Sequence, residues 1–191
     1  MNELILIFVS MVVVNNFILA RFLGLCPFFG VSKKLGDALS MGVAVTLVML
    51  LASVATWFIN HYVLIPFGVE FMQVVVYILV IASLVQMVEI AIKRTNLTLY
   101  NALGIYLPLI TTNCAILGAT FIIAVEGYTL LEGVVTALGG GIGFTLVLLI
   151  MSGIREKLEL SDLPRSMRGL PIALIIGGLL GLAFLGFGGI V

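Results

Sequence analysis

The residues with the most distinctive chemistry are two thiols. Cys26 lies in Gly24-Leu25-Cys26-Pro27-Phe28-Phe29-Gly30 and Cys114 in Thr112-Asn113-Cys114-Ala115-Ile116-Leu117-Gly118, so each opens a Cys-x-x-x-Gly pattern. Asn15-Asn16 stands upstream of the first and Asn101 upstream of the second. A free cysteine is usually a small buried hydrophobe, and two do not make a disulfide framework. The thiolate, though, is a soft donor suited to iron–sulfur clusters, zinc or copper. An iron–sulfur cluster takes four protein ligands, as does a structural zinc. With two cysteines and one histidine, His61, expected far away in a separate loop, the chain offers half of such a site. The other half would come from another polypeptide or a second copy.

The surroundings of these thiols are apolar. Of 191 residues, 62% belong to the set AVILMFWYC and 9% are charged, against about 25% charged in a typical soluble domain. That is about 118 apolar residues, enough for about six bilayer crossings at roughly 20 residues each. A soluble fold of this size could not cover so much apolar surface. Soluble enzymes, nucleic-acid binders and disordered chains are thereby excluded. The formal net charge of +0 supplies no field to gather DNA or RNA. Met1-Asn2-Glu3 lacks the positive start of a cleaved signal peptide, so the first apolar run is expected to stay as a span.

The sequence therefore predicts an all-α integral membrane protein, a single transmembrane domain over residues 1–191. Spans are expected near 4–25, 38–59, 71–92, 100–122, 129–152 and 169–190. The breaks hold Lys33-Lys34, Asn60-His61-Tyr62, Lys93-Arg94, Glu126-Gly127 and the polar stretch from Arg155 to Arg168. All 9 Lys and Arg residues fall in the first, third and fifth connections: Arg21, Lys33 and Lys34, then Lys93 and Arg94, then Arg155, Lys157, Arg165 and Arg168. Cytoplasmic loops collect basic residues, so these connections are expected inside and both termini outside.

Three is odd, so a second three-span unit must enter from the opposite side. The repeated Cys-x-x-x-Gly pattern thus predicts two inverted three-helix repeats, about 1–94 and 95–191. Such repeats place functional residues near the midplane, on interrupted helices. As straight helices, 4–32 and 95–125 would run about 43 and 46 Å, against a hydrocarbon core of about 30 Å. Pro27 disfavours helix at Cys26 and suits the first position of a new helix. Pro108 interrupts the later stretch, and Thr111-Thr112-Asn113 offers caps for a helix beginning at Cys114. Helices 1 and 4 are expected to be interrupted near the cysteines, each thiol at a helix's positive end, where anions are favoured.

Longer strings match a known family. Asn15-Asn16-Phe17, Phe22-Leu23-Gly24-Leu25-Cys26-Pro27-Phe28 and Gly30-Val31-Ser32-Lys33-Lys34 resemble the first half of the RnfA/NqrE family. Tyr100-Asn101-Ala102-Leu103-Gly104-Ile105 and Leu107-Pro108-Leu109-Ile110-Thr111-Thr112-Asn113-Cys114-Ala115 resemble its second half. Gly153-Ile154-Arg155-Glu156-Lys157 and Arg168-Gly169 also fit, so the resemblance spans the chain. Cys26-Pro27 and Thr111-Thr112-Asn113-Cys114 are closer to the Rnf A-type subunits than to their Nqr counterparts.

The resemblance implies a membrane subunit of the Rnf electron-transport complex, a translocase without activity in any one chain. That assembly relays electrons from ferredoxin toward NAD⁺, coupled to Na⁺ or H⁺ translocation. It implies that Cys26 and Cys114 are metal ligands, half the set for an intramembrane [2Fe–2S] cluster. The rest would come from the paralogous E-type chain in inverted orientation. FMN and [4Fe–4S] clusters would belong to other chains only, among the B, C, D and G types. The implied location is the bacterial cytoplasmic (inner) membrane. An electron added at mid-membrane would call for a compensating cation or a rearrangement of the interrupted helices.

On the residues alone, alternatives stay open: the equivalent chain of a Na⁺-translocating NADH:quinone reductase, or a secondary transporter with inverted repeats and inert cysteines. Asn15, Asn16, Asn101 and Asn113 either satisfy broken backbone or face an ion or the cluster. Glu89, four residues before Lys93, is an ordinary ion pair or an ion-path carboxylate. Arg21 snorkels or pairs. Gly139-Gly140-Gly141-x-Gly143 and Gly177-x-x-x-Gly181 are faces for close helix packing. Asn96-Leu97-Thr98 fits a glycosylation pattern but falls on the expected cytoplasmic side.

Overall fold

A computed structural model of the protein describes residues 2–95, 107–161, 164 and 167–186. Asn101, the Asn96-Leu97-Thr98 pattern and Arg165 lie outside the described residues. Secondary structure among the described residues is helical throughout. Helix α1 (Asn2–Val9) runs on through a π turn (Ser10–Val14), and the chain then leaves helical geometry until α2 (Leu25–Val31). Helix α3 (Leu35–Ile59) continues through a second π turn (Asn60–Leu64) into α4 (Ile65–Phe67). A 3₁₀ turn (Glu70–Met72) leads into α5 (Gln73–Thr95). Then come α6 (Leu107–Thr111), α7 (Cys114–Val125), α8 (Leu130–Glu159) and α9 (Leu170–Leu185).

Four stretches are long and apolar enough to cross a bilayer: Leu35–Phe67, Gln73–Ile90, Pro108–Val125 and Leu130–Glu159. Glu3–Val14 and Leu170–Leu185 are apolar but shorter. The chain is an all-helical integral membrane protein. Its outward faces suit lipid: Leu35, Leu39, Val43, Leu47 and Leu51 form an exposed apolar stripe along α3, and α5 exposes Val75, Ile78, Leu79, Met87 and Ile90. In water such a surface would aggregate.

The centre is the antiparallel crossing of α3 and α8. On α3 the buried residues Ala38, Met41, Val45, Val48, Met49 and Ala52 recur at three- and four-residue spacing. They meet Ala137, Phe144, Val147, Leu148 and Met151 of α8. Lipid is as apolar as leucine, so close approach and dispersion must hold this pair together. Small residues supply the approach, and they do so reciprocally. A methyl group on Gly42 would lie 2.5 Å from the Thr145 side chain, and one on Gly141 would lie 2.6 Å from that of Thr46. Both threonines fold back onto the glycine one turn earlier, Thr46 Oγ1 donating to Gly42 O at 2.7 Å and Thr145 Oγ1 to Gly141 O at 2.8 Å. Gly-x-x-x-Thr thus occurs on both helices, and each copy packs into the other.

The remaining elements take their direction from this pair. Gly139 meets Phe8 and Gly143 meets Val12, so α1 runs parallel to α8. Gln73 Nε2 donates to Asn60 Oδ1 at 3.0 Å, which starts α5 where α3 ends and sends it back alongside. Lys33, Lys34, Lys93, Arg94, Arg155 and Lys157 consequently share one end of the bundle. Both α1 and α9 carry their outer ends toward the opposite one, where Trp57 Nε1 donates to Tyr128 O at 3.0 Å.

Two expected boundaries move. Asn60-His61-Tyr62 was expected as a connection, yet these residues are helical. Asn60 is paired with Gln73, and the His61 ring stacks on Trp57 with centroids 5.2 Å apart, so the polar groups are absorbed without leaving the helix. The chain turns instead after Pro66, at Gly68 with φ 64°. The fifth expected span, ending near 152, extends to Glu159, which moves Arg155 from a loop into the buried part of α8.

Gly42→Ala is expected to lower stability in detergent by about 1–3 kcal/mol, the usual range for overpacking. Thr145→Ala in the same chain should restore most of it. Thermal unfolding of the two single variants and the double variant measures the coupling; strict additivity would show that the crossing is not packed this way.

Candidate metal centre at the paired helix breaks

Each cysteine follows a break in helix, and the two breaks touch. Gly24 takes φ 82°, a left-handed conformation open to glycine without penalty, and turns the chain into α2, with Cys26 in its first turn. Asn113 caps α7: its Oδ1 accepts from Ala115 N at 3.0 Å, and Cys114 is the first helical residue. The Gly24 N–H donates to Cys114 Sγ at 2.9 Å. A methyl group on Gly24 would lie 2.7 Å from the Phe144 ring, 3.2 Å from Ala115 and 3.3 Å from Asn113 Oδ1. Cys26 is two residues from Gly24, so its place in the chain lies close to Cys114 across the junction.

The junction sits halfway along α8, at Phe144. From there the two short helices diverge. The far end of α7 packs Ile123 against Gly133, near the start of α8, whereas the far end of α2 meets Arg155, near its finish. Helices α2 and α7 therefore point in opposite directions with their N-terminal turns together. The glycine of each Cys-x-x-x-Gly receives a leucine from the other half, Gly118 facing Leu23 and Gly30 facing Leu109. That contact gives the shared pattern its physical meaning.

The first break is long, and much of its backbone is tied down by hydrogen bonds. Asn16 is completely buried; its Nδ2 donates to Val12 O at 3.1 Å and Gly143 O at 3.0 Å, and its Oδ1 accepts from Ile18 N at 3.0 Å. Leu23 N donates to Phe17 O at 2.7 Å and Ala20 N to Asn16 O at 3.0 Å. The glycine run makes room: Gly139, Gly140 and Gly143 face Met11, Phe17 and Asn16, and a methyl group on Gly140 would enter the Phe17 ring. On α9, Gly177 and Gly181 face the rings of Phe28 and Phe22. Asn16 thus serves broken backbone. Asn15 Nδ2 donates to Ser10 Oγ at 3.0 Å. Asn113 Nδ2 is buried beside the thiols without a hydrogen-bond partner among the described residues.

Both sulfurs are free; Cys26 is exposed on the chain's surface and Cys114 is partly covered. Among the described residues no three His, Cys, Asp or Glu side chains converge, so the site is a two-donor set. Its chemistry fits half of a soft-metal centre: two thiols in the first turns of helices that start at one junction, one already receiving an N–H and the other exposed. His61 is held at the Tyr128 end of the bundle, away from both. Glu89 and Lys93 lie one turn apart on α5.

Arg21 departs from its expected place with Lys33 and Lys34. Burial first, then Glu126 and Glu132, hold the Tyr128 phenol above its ordinary pKa, and Arg21 acts against them. Its charge therefore reaches toward the end opposite the other basic residues. Arg155 is the residue whose role was least visible: it is 9% exposed, and its Nη1 donates to Phe29 O at 2.8 Å and Ser32 Oγ at 2.9 Å. Arg155 closes an apolar run and is followed at once by Glu156 and Lys157, so the sequence marked it as part of a polar connection.

The fold and this junction define a polytopic membrane protein with discontinuous helices, the architecture in which broken backbone builds a site inside the bilayer. The chain belongs to the Rnf-Nqr family: the family model for "Rnf-Nqr subunit, membrane protein" matches residues 4–191. It is 52% identical over 191 residues to the A-type chain of the ion-translocating oxidoreductase complex of Syntrophotalea carbinolica, covering 100% of this chain and 99% of that one. It is 50% identical over 186 residues to the A-type chain of the Na(+)-translocating ferredoxin:NAD(+) oxidoreductase complex of Acetobacterium woodii, covering 97% of each. Identity to the A-type chain of the ion-translocating oxidoreductase complex of Edwardsiella ictaluri is 48% over 191 residues, 100% of this chain and 99% of that one.

Asn16→Ala should cost about 2–3 kcal/mol, because it strips the buried Ile18 N–H of its acceptor where water does not replace it and removes the bridge to Gly143 of α8. Thermal unfolding in detergent reads this; a change below about 0.5 kcal/mol would contradict the hydrogen-bonded break.

Proposed function

We propose that this chain is the A-type membrane component of an ion-translocating ferredoxin:NAD⁺ oxidoreductase. In that role Cys26 and Cys114 supply half the ligands of an intramembrane [2Fe–2S] cluster. The other two thiolates come from a paralogous E-type chain in inverted orientation. The observation that carries this is the meeting of two helix breaks at Phe144, each starting a helix that carries a free thiol, one exposed and one half-covered. The similar proteins named above support the assembly, since two of them are named for ion translocation and one for Na⁺ and ferredoxin:NAD⁺ chemistry.

The cluster, when bound, supplies a one-electron relay in the middle of the membrane. This chain's residues provide the setting. Cys26 and Cys114 hold the metal side of the junction; the Gly24 N–H donates to the Cys114 sulfur, favouring its anionic form. Helix α7 begins at Cys114, so its positive dipole end lies at the thiolate. Leu23, Phe28 and Phe144 exclude water around it. The chain has no activity by itself, and FMN and [4Fe–4S] groups belong to other chains of the assembly, of the B, C, D and G types.

The reciprocal Gly-x-x-x-Thr and Cys-x-x-x-Gly packings support six spans arranged as two inverted three-helix repeats. Most basic residues share one end, which favours that end as cytoplasmic and both termini as outside, in the bacterial inner membrane. Arg21 is the exception, a long side chain reaching outward.

Iron analysis and EPR of the purified complex test the reading. Wild type is expected to give a [2Fe–2S] signal that disappears in Cys26→Ser and in Cys114→Ser, with the amount of each chain retained. An unchanged signal in either variant sinks the ligand assignment, and a colourless chain transporting a solute alone would favour a secondary transporter.

A further inference from the structure

Arg155 is a cation buried in the membrane-spanning part of α8, where an ionised group is expensive and needs a reason. Its Nη1 bonds to two neutral oxygens, Phe29 O at 2.8 Å and Ser32 Oγ at 2.9 Å, both at the finish of α2. Phe29 O is one of the last carbonyls of a helix ending at Val31, which have no partner within that helix. Arginine near a helix C-terminus meets such carbonyls and the negative dipole end together. Phe29 and Ser32 lie three and six residues beyond Cys26, so Arg155 grips α2 about 5–9 Å along its axis from the residue that carries the thiol. On the other side Arg155 lines a cavity with Glu159, one turn further along α8, and Arg168, so a carboxylate faces it from its own helix while its hydrogen bonds reach only neutral oxygens of α2. An anionic centre at the start of α2 would lie on that second side.

Resting on the cluster reading above, we infer that Arg155 is a positioning residue for Cys26 and the fixed counter-charge of the thiolate centre. It acts through α2. The two hydrogen bonds fix the axis of that short helix against α8, and so fix where Cys26 points. The charge itself favours whichever redox state is more negative, because Coulomb attraction across such a distance is poorly screened when the intervening material is protein and lipid. Ser32, completely buried between α2 and Arg155, keeps the guanidinium from turning away. Loss of the charge should therefore make the cluster harder to reduce, and loss of the hydrogen bonds alone should not.

Redox titration of the [2Fe–2S] EPR signal in the purified complex separates these effects. Arg155→Gln is expected to retain iron and to move the reduced-to-oxidised ratio at a given ambient potential about tenfold toward oxidised. For a one-electron couple that is a midpoint about 59 mV lower. Arg155→Lys and Ser32→Ala should stay within about threefold of wild type. An unshifted midpoint in iron-loaded Arg155→Gln overturns the inference, since a purely structural clamp survives that change. A tenfold shift in Arg155→Lys overturns it too. If Arg155→Gln loses its iron, Arg155→Lys decides: a wild-type midpoint supports the counter-charge, and iron loss or a tenfold shift refutes it. A wild-type complex lacking the Cys26-dependent signal defeats the cluster reading itself, and this appears before any Arg155 variant is made.

Discussion

Hydrocarbon offers no water, so a chain that leaves helical geometry inside a membrane must pair every freed N–H and C=O with protein. Everything distinctive here follows from meeting that constraint twice. Over 15–24 the backbone pairs partly with itself, through Leu23 to Phe17 and Ala20 to Asn16. It pairs partly with the Asn16 amide, which bridges the break to Gly143 of α8. At the second break one side chain, Asn113, suffices, because only residues 112–113 intervene between α6 and α7. The Gly24 N–H of the first break finds its acceptor in the sulfur of the second, so the two breaks are joined.

That dependence explains the glycine richness of α8. A broken segment is wider than a helix and can enter the bundle only where a neighbour has no side chains. Gly139, Gly140 and Gly143 clear the face toward the first break, and Gly141 clears the adjoining face toward Thr46. Close packing of this sort resists gradual deformation; interfaces of small residues hold one spacing or another. A junction so built holds the two helix starts together while leaving Cys26 open on the outer surface.

Much of this was legible in the residues. The apolar fraction gave the membrane, Pro27 and Asn113 marked helix breaks, and Cys-x-x-x-Gly tied the two halves together. The helix start at Cys114 fell where the Asn113 cap implied, whereas α2 begins at Leu25, one residue before Cys26, because Gly24 supplies the turn and leaves Pro27 inside the first turn. The Gly-x-x-x-Thr pair was present at Gly42–Thr46 and Gly141–Thr145 but carried no meaning until the helices were seen to cross there antiparallel. Asn60 and His61 misled, because polarity in a sequence signals a loop only when the side chains lack partners, and here Gln73 and Trp57 supply them. Arg155 and Arg21 misled likewise: counting charges by connection assumes that each cation lies where its Cα suggests. A guanidinium on a long stem can turn inward to a helix end or outward past a break.

The polarity of the two short helices adds a final electrostatic step. Helices α2 and α7 leave the junction in opposite directions, so their N-terminal turns face one another. Two positive ends at close quarters in low dielectric repel, and the repulsion is not relieved by solvent. A neutral thiol pair does little to offset it. A thiolate pair offsets it directly, and binding a soft metal is what deprotonates cysteines in such surroundings. Yet the thiolates of one chain, with one face open, leave both the coordination and the hydrocarbon exposure of Cys26 unsettled. On the proposed reading a second chain presenting a matching pair would close the face, complete the ligand set and place four positive helix ends around one negative centre. The incompleteness of the single chain would then have the same physical origin as the electron carrier proposed for it.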